Sequence, residues 1–102
     1  MTEPFPEPWY PIAENQRLVF ERELQRELGA NHRLAGLSLR IVARRDDQDD
    51  VFVVLDNGGV AEVHLTWTGK WEVNPTWPET HVFGSMSEWR LHWDAHWRLH
   101  GP

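Results

Sequence analysis

The chain contains no cysteine. That excludes disulfides, thiolate metal ligands and cysteine nucleophiles together, and it fits a cytoplasmic protein. Serine is scarce and confined to Ser38, Ser85 and Ser87. None lies in the Gly-x-Ser-x-Gly elbow of a hydrolase. No glycine-rich phosphate loop is present, because Gly58-Gly59 separates two strand-like runs rather than a strand and a helix. No apolar run approaches the roughly 18 residues of a membrane span. The opening Met-Thr-Glu-Pro-Phe-Pro-Glu-Pro lacks the basic start and apolar stretch of a signal peptide. Positive charge is also short: 10 basic residues face 16 acidic ones, for a formal net charge of -6. The longest basic run is Arg44–Arg45. Such a balance repels phosphate backbones, so neither nucleic acid nor a membrane is an expected partner.

What the chain has in surplus is tryptophan, with seven Trp against four Phe and one Tyr in 102 residues. The length suits one domain spanning 1–102. The pattern predicts an α+β fold: an N-terminal helix, a three- to four-stranded antiparallel sheet with a central hairpin, and a C-terminal helix. Residues 1–11 hold four prolines and should be extended, with Trp9 and Tyr10 fastening that segment to the core. Phe20, Leu24 and Leu28 recur every fourth residue and predict a helix over 12–28. Pro11 suits its first position, and Gly29 suits a left-handed residue past its end.

Leu37, Leu39, Ile41 and Ala43 alternate with Ser38, Arg40, Val42 and Arg44, a strand pattern with one mostly polar face in which Val42 is the exception. Asp46-Asp-Gln-Asp-Asp50 breaks it. Val51–Leu55 is apolar on both faces and should lie centrally. Asn57-Gly58 is a strong hairpin signal. Taken as a two-residue loop, it puts Val54 opposite Ala61 and Phe52 opposite Val63. Thr80–Phe83 fits a short further strand. Ser85 and Glu88 have capping-box spacing, and Met86, Trp89, Trp93 and Trp97 form a stripe along a helix over 86–99. That stripe should face the sheet.

The segments Val63-His-Leu-Thr-Trp-Thr-Gly-Lys70 and Trp77-Pro-Glu-Thr80 resemble an uncharacterised family of small bacterial proteins that share a VHLTWxGK strand and a WPxT loop. The resemblance spans roughly residues 32–83 and implies a bacterial cytoplasmic origin. It implies no activity and no residue role.

Several constellations could carry chemistry. His92, His96 and His100 stack at helical spacing. They read as boundary histidines beside the tryptophan stripe, because a metal site needs further ligands and a second shell. No metal or other cofactor is expected. Glu62, His64 and Thr66 share one strand face, where a carboxylate could orient an imidazole for acid–base work. Asp46, Asp47, Asp49 and Asp50 lack EF-hand spacing and read as an acidic turn, with Asp50 free to bond a neighbouring loop. Trp67, Trp71 and Trp77 gather around the 68–80 loop, where they either fold back as the loop's own core or, if exposed, suit binding. The leading expectation is a non-enzymatic protein-interaction domain, with a protein partner or a second copy as the ligand, and immunity or antitoxin proteins as analogues in size and charge. A small-ligand or sugar-binding domain using the 67–77 loop is the alternative, and a small enzyme using Glu62 and His64 the third. Candidate contacts are Glu62, His64, Trp67, Trp71, Trp77 and Trp97.

Overall fold

The computed structural model describes residues 5–6, 8–45, 47–67 and 78–100, with side chains described through residue 96. Trp71 and Trp77 and the side chains of Trp97 and His100 therefore lie outside the described residues. The order is β1 (Trp9–Pro11), α1 (Glu14–Glu27), β2 (Leu39–Arg45), β3 (Asp50–Leu55), β4 (Val60–His64), β5 (Thr80–Phe83) and α2 (Met86–His100). The strands form one antiparallel sheet in sequence order, β1-β2-β3-β4-β5. The α+β class is as expected, but the sheet has five strands rather than three or four. The added strand is the proline-flanked Trp9–Pro11, which pairs with Ala43–Arg45. Pro11 thus ends a strand rather than starting the helix, whose N-cap is Ala13. Gly29 does not supply a left-handed cap either. Among the described residues positive φ occurs at Gly36, Gly58 and Trp67.

The hairpin corrects the expected register. Phe52 lies opposite Glu62 and Val54 opposite Val60, one residue away from a two-residue loop. The loop is Asp56-Asn57-Gly58. Gly58 N–H donates to Leu55 O at 3.1 Å, and Leu55 N–H donates to Gly59 O at 2.9 Å. Gly58 takes φ 89, the left-handed position of a three-residue loop with a bulge, and the Asn57 side chain accepts from Gly59 N–H at 2.9 Å.

A one-residue slip exchanges the faces of a strand, so the two sides of the sheet differ from the expected ones. Val51, Val53, Leu55, Ala61, Val63 and Leu65 share one side with Leu24 of α1 and Leu34 of the following loop. Phe52 and Val60 share the other with Trp9, Trp89 and Trp93. The sheet is the middle layer between two helices. Trp89 and Trp93 are buried as expected. Met86, at the same helical spacing, is not: it remains 40% exposed at the first position of α2.

Val42, the exception to alternation, is a bulge. Ile41 pairs with Val53 and Ala43 with Phe52, leaving Val42 as the extra residue. Beyond it the strand's facing is reversed. Ile41 faces α1, whereas Ala43 joins the tryptophan cluster. Arg44 and Arg45 then project to opposite sides, Arg44 over the Phe20 ring at 4.6 Å and Arg45 over the Trp93 ring at 5.2 Å. Of the residues expected on the polar face, Ser38 and Arg40 are exposed, whereas Val42 and Arg44, at and beyond the bulge, are half-buried. The Ser85 cap forms, its hydroxyl accepting from Glu88 N–H at 3.1 Å, while the Glu88 carboxylate accepts from Gly84 N–H at 2.8 Å.

Two substitutions measure these arguments by urea unfolding. Trp93→Ala should cost about 3–5 kcal/mol, because the ring is 4% exposed; an unchanged midpoint would show that the stripe does not pack on the sheet. Gly58→Val should cost about 1–3 kcal/mol. No heavy atom lies within 4 Å of an added Cβ there, so the whole effect comes from a β-branched residue at positive φ.

Candidate functional site

The polar end of the sheet lies on the α2 side, and the registers place its residues in two cross-strand rows. Asp50 pairs with His64, and His64 N–H donates to Glu79 O at 2.9 Å, so Asp50, His64 and Glu79 form one row. Phe52, Glu62 and His81 form the next. With Gln48 from the turn before β3, five of these six residues and Gln48 line a hollow of about 280 Å³, the lining being Gln48, Asp50, Glu62, His64, Glu79 and His81. Phe52 alone turns into the core beneath Trp89.

Sequence reasoning paired Glu62 with His64. The structure puts both in the hollow but gives each a different partner. His64 Nδ1 lies 2.6 Å from Asp50 Oδ1. An ionised carboxylate only accepts, so in the neutral imidazole Nδ1 carries the hydrogen and Nε2 keeps its lone pair. Asp50 is more enclosed than His64, with side-chain exposures of 14% and 43%. Its second oxygen accepts from Gln48 at 3.2 Å and lies 4.0 Å from Arg45. Glu62 is held from below, where Oε2 accepts from the Trp89 indole N–H at 2.5 Å. The Glu62 side chain is also part of the hollow's lining. Glu79 Oε1 lies 3.5 Å from His81 Nε2. Thr66 is not part of the site, because it follows the strand and its N–H turns toward α1.

The remaining candidates are placed elsewhere. Trp67 is 41% exposed and meets the Phe20 ring edge-on at 4.9 Å, on the α1 side of the sheet. His92 and His96 stack nearly parallel with ring centroids 6.5 Å apart, and His92 also rests against Phe83. Among the described residues no group of three or more His, Cys, Asp or Glu is arranged to hold a metal ion. Asp47 bonds Arg45 at 2.8 and 2.7 Å, and that guanidinium holds its carboxyl below the usual carboxylate range. Asp46 is outside the described residues. No described helix is long and apolar enough to cross a membrane.

Three buried polar side chains escaped sequence reasoning: Glu23, Glu27 and His32. His32 Nδ1 accepts from Leu34 N–H at 3.0 Å, so Nε2 carries the hydrogen that reaches Pro78 O at 3.0 Å. It ties the loop after α1 to the strand that brings Glu79 and His81 into the hollow. Only the Gly29–Gly36 interval marks this loop in the sequence, and nothing there signals a buried imidazole.

No protein-family model, curated protein or solved structure matches the chain. The assignment of the site rests on its geometry.

Asp50→Ala removes the acceptor that fixes the His64 ring. Nitrogen-15 spectra of the neutral imidazole should show the Nδ1–H tautomer in the parent protein and its loss in the variant. The same tautomer in both would mean that Asp50 does not set it.

Proposed function

We propose that the protein is a non-enzymatic interaction domain that accepts a lysine or arginine side chain of a protein partner in the hollow on β3, β4 and β5. The observation that carries this reading is the surplus of acceptors. Asp50, Glu62 and Glu79 are carboxylates, which only accept, and His64 presents an Nε2 lone pair. An ammonium or guanidinium offers only donors and the opposite charge. The net charge of -6 would speed encounter with a basic partner through long-range attraction. At about 280 Å³ the hollow falls below the roughly 300–1,000 Å³ of drug-sized ligand sites. That favours one side chain over a sugar or a cofactor.

A second reading draws support from the Asp50–His64 contact, a pairing that can shuttle a proton. The six lining residues include no hydroxyl, thiol or amine, so carboxylates and imidazoles are the reactive groups that they supply.

Titration with a short arginine- and lysine-containing peptide, followed by NMR, tests the leading reading. His64 and His81 resonances should shift, with an affinity that falls as salt rises. The Glu62→Gln, Glu79→Gln double variant should bind at least about tenfold more weakly, or about 1.4 kcal/mol. The amide introduced by Glu62→Gln keeps an oxygen for the Trp89 N–H, so the core contact should survive. Absence of any shift at millimolar peptide, or equal binding by the variant, would overturn the proposal.

A further inference from the structure

On the opposite side of the sheet α1 carries two carboxyl groups into the core. Glu23 is 5% exposed and Glu27 1%, and at i,i+4 they lie one helical turn apart. Both oxygens of Glu27 are engaged by the chain leaving β4: Oε1 accepts from Thr66 N–H at 2.9 Å and Oε2 from Trp67 N–H at 2.7 Å. The Thr66 hydroxyl favours the Glu27 carboxylate, and the Glu23 carboxyl one turn back disfavours it. Two carboxyls can bond each other only if one of them carries a proton. The turn that they hold is strained, because Trp67 sits at φ 60, a conformation that bulky residues rarely take.

We propose that Glu23 and Glu27 act as a one-proton latch that holds the Thr66–Trp67 turn when the pair is protonated and releases it when the shared proton is lost. With the proton, Glu23 donates to the Glu27 carboxylate, and a single negative charge is met by the donors of Thr66 and Trp67. Without it, two anions face each other in the interior, which burial makes costly. Turning Glu27 toward water relieves the repulsion and surrenders both backbone bonds. Trp67 then loses what keeps it left-handed, and with it the edge-on contact to Phe20 at 4.9 Å.

Among the described residues, the groups acting on Glu27 are Glu23 along α1 and, from the end of β4, the N–H groups of Thr66 and Trp67 and the Thr66 hydroxyl. The third buried polar side chain, His32, is committed to Leu34 and Pro78. Burial pushes the Glu27 carboxyl up from 4.5 to about 7, and Glu23 adds to the rise. A carboxyl raised in this way stabilises the fold fully below its unfolded value of 4.5, and that contribution is lost as pH rises through about 7. The turn is held in mild acid and loosened in mild base.

The test follows the backbone amides of Thr66 and Trp67 from about pH 5.5 to about pH 8.5, in the range that the linkage argument defines. In the parent protein both resonances should move together with one midpoint near 7. Hydrogen exchange at Trp67 N–H should accelerate about tenfold or more beyond the intrinsic base-catalysed trend. Glu23→Gln supplies a permanent amide donor to Glu27, so it should remove the step and keep the protection throughout. A parent protein with no step in this range, or a step of the same size and midpoint in Glu23→Gln, would overturn the latch. If the variant does not fold, the titration of the parent protein alone decides.

Discussion

β3 buries apolar side chains on both of its sides: Val51, Phe52, Val53 and Leu55 are all buried. Each such side chain gains about 1.5–3 kcal/mol from leaving solvent, but only if both faces of the sheet are covered. α1 and the 28–37 segment cover one face through Leu24, Leu34 and their neighbours. The other requires bulk, because its partners on β2 and β4 include the small Ala43 and Val60. Trp9, Trp89 and Trp93 supply that bulk, with ring centroids 4.6–6.0 Å from Phe52 or from one another. Three of the seven tryptophans are thus explained by the need to roof a second face with one helix and a three-residue strand.

The same helix borders the hollow. Trp89 covers Phe52 and reaches Glu62 with its indole N–H, so the row containing Glu62 is the boundary between roofed and open sheet. One row further stand the polar Asp50, His64 and Glu79, which line the hollow. α1 solves a related problem on its own side. Strand irregularities leave backbone N–H groups without ladder partners, and buried N–H groups need acceptors. Glu21 accepts from Ile41 N–H at 2.8 Å beside the bulge, and Glu27 accepts from the chain beyond β4. Carboxylates on one helix thereby fasten two places where the sheet departs from regularity.

Much of this was legible in the residues. The four-residue spacing of Phe20, Leu24 and Leu28, the Ser85–Glu88 cap and the Trp89–Trp93 pair each announce local structure, because their physics is local. What the sequence concealed depends on distant partners. Loops of two and three residues both want Gly58 at positive φ, so turn chemistry alone left the hairpin register open. Glu62 and His64 stood out as candidates, but the pairing of His64 with Asp50 requires that register, and Glu79 and His81 require the alignment of β5. Glu21, Glu23 and Glu27 look like the solvated face of an amphipathic helix. Only backbone donors 20 to 40 positions away in sequence show that Glu21 and Glu27 turn to the sheet.

The three-residue connection between β3 and β4 ties the location of the hollow to the hairpin register. Residues opposed across two antiparallel strands share a face, so Glu62 emerges beside Phe52 and His64 beside Asp50 only while Val54 stays opposite Val60. A slip of the ladder by one residue would turn Glu62 and His64 under α1 and Ala61 and Val63 outward. A change of length confined to 56–58 that keeps Val54 opposite Val60 leaves every side chain of β4 where it is. Homologous chains that preserve this hollow should therefore vary in length within 56–58 but not within the paired segments on either side.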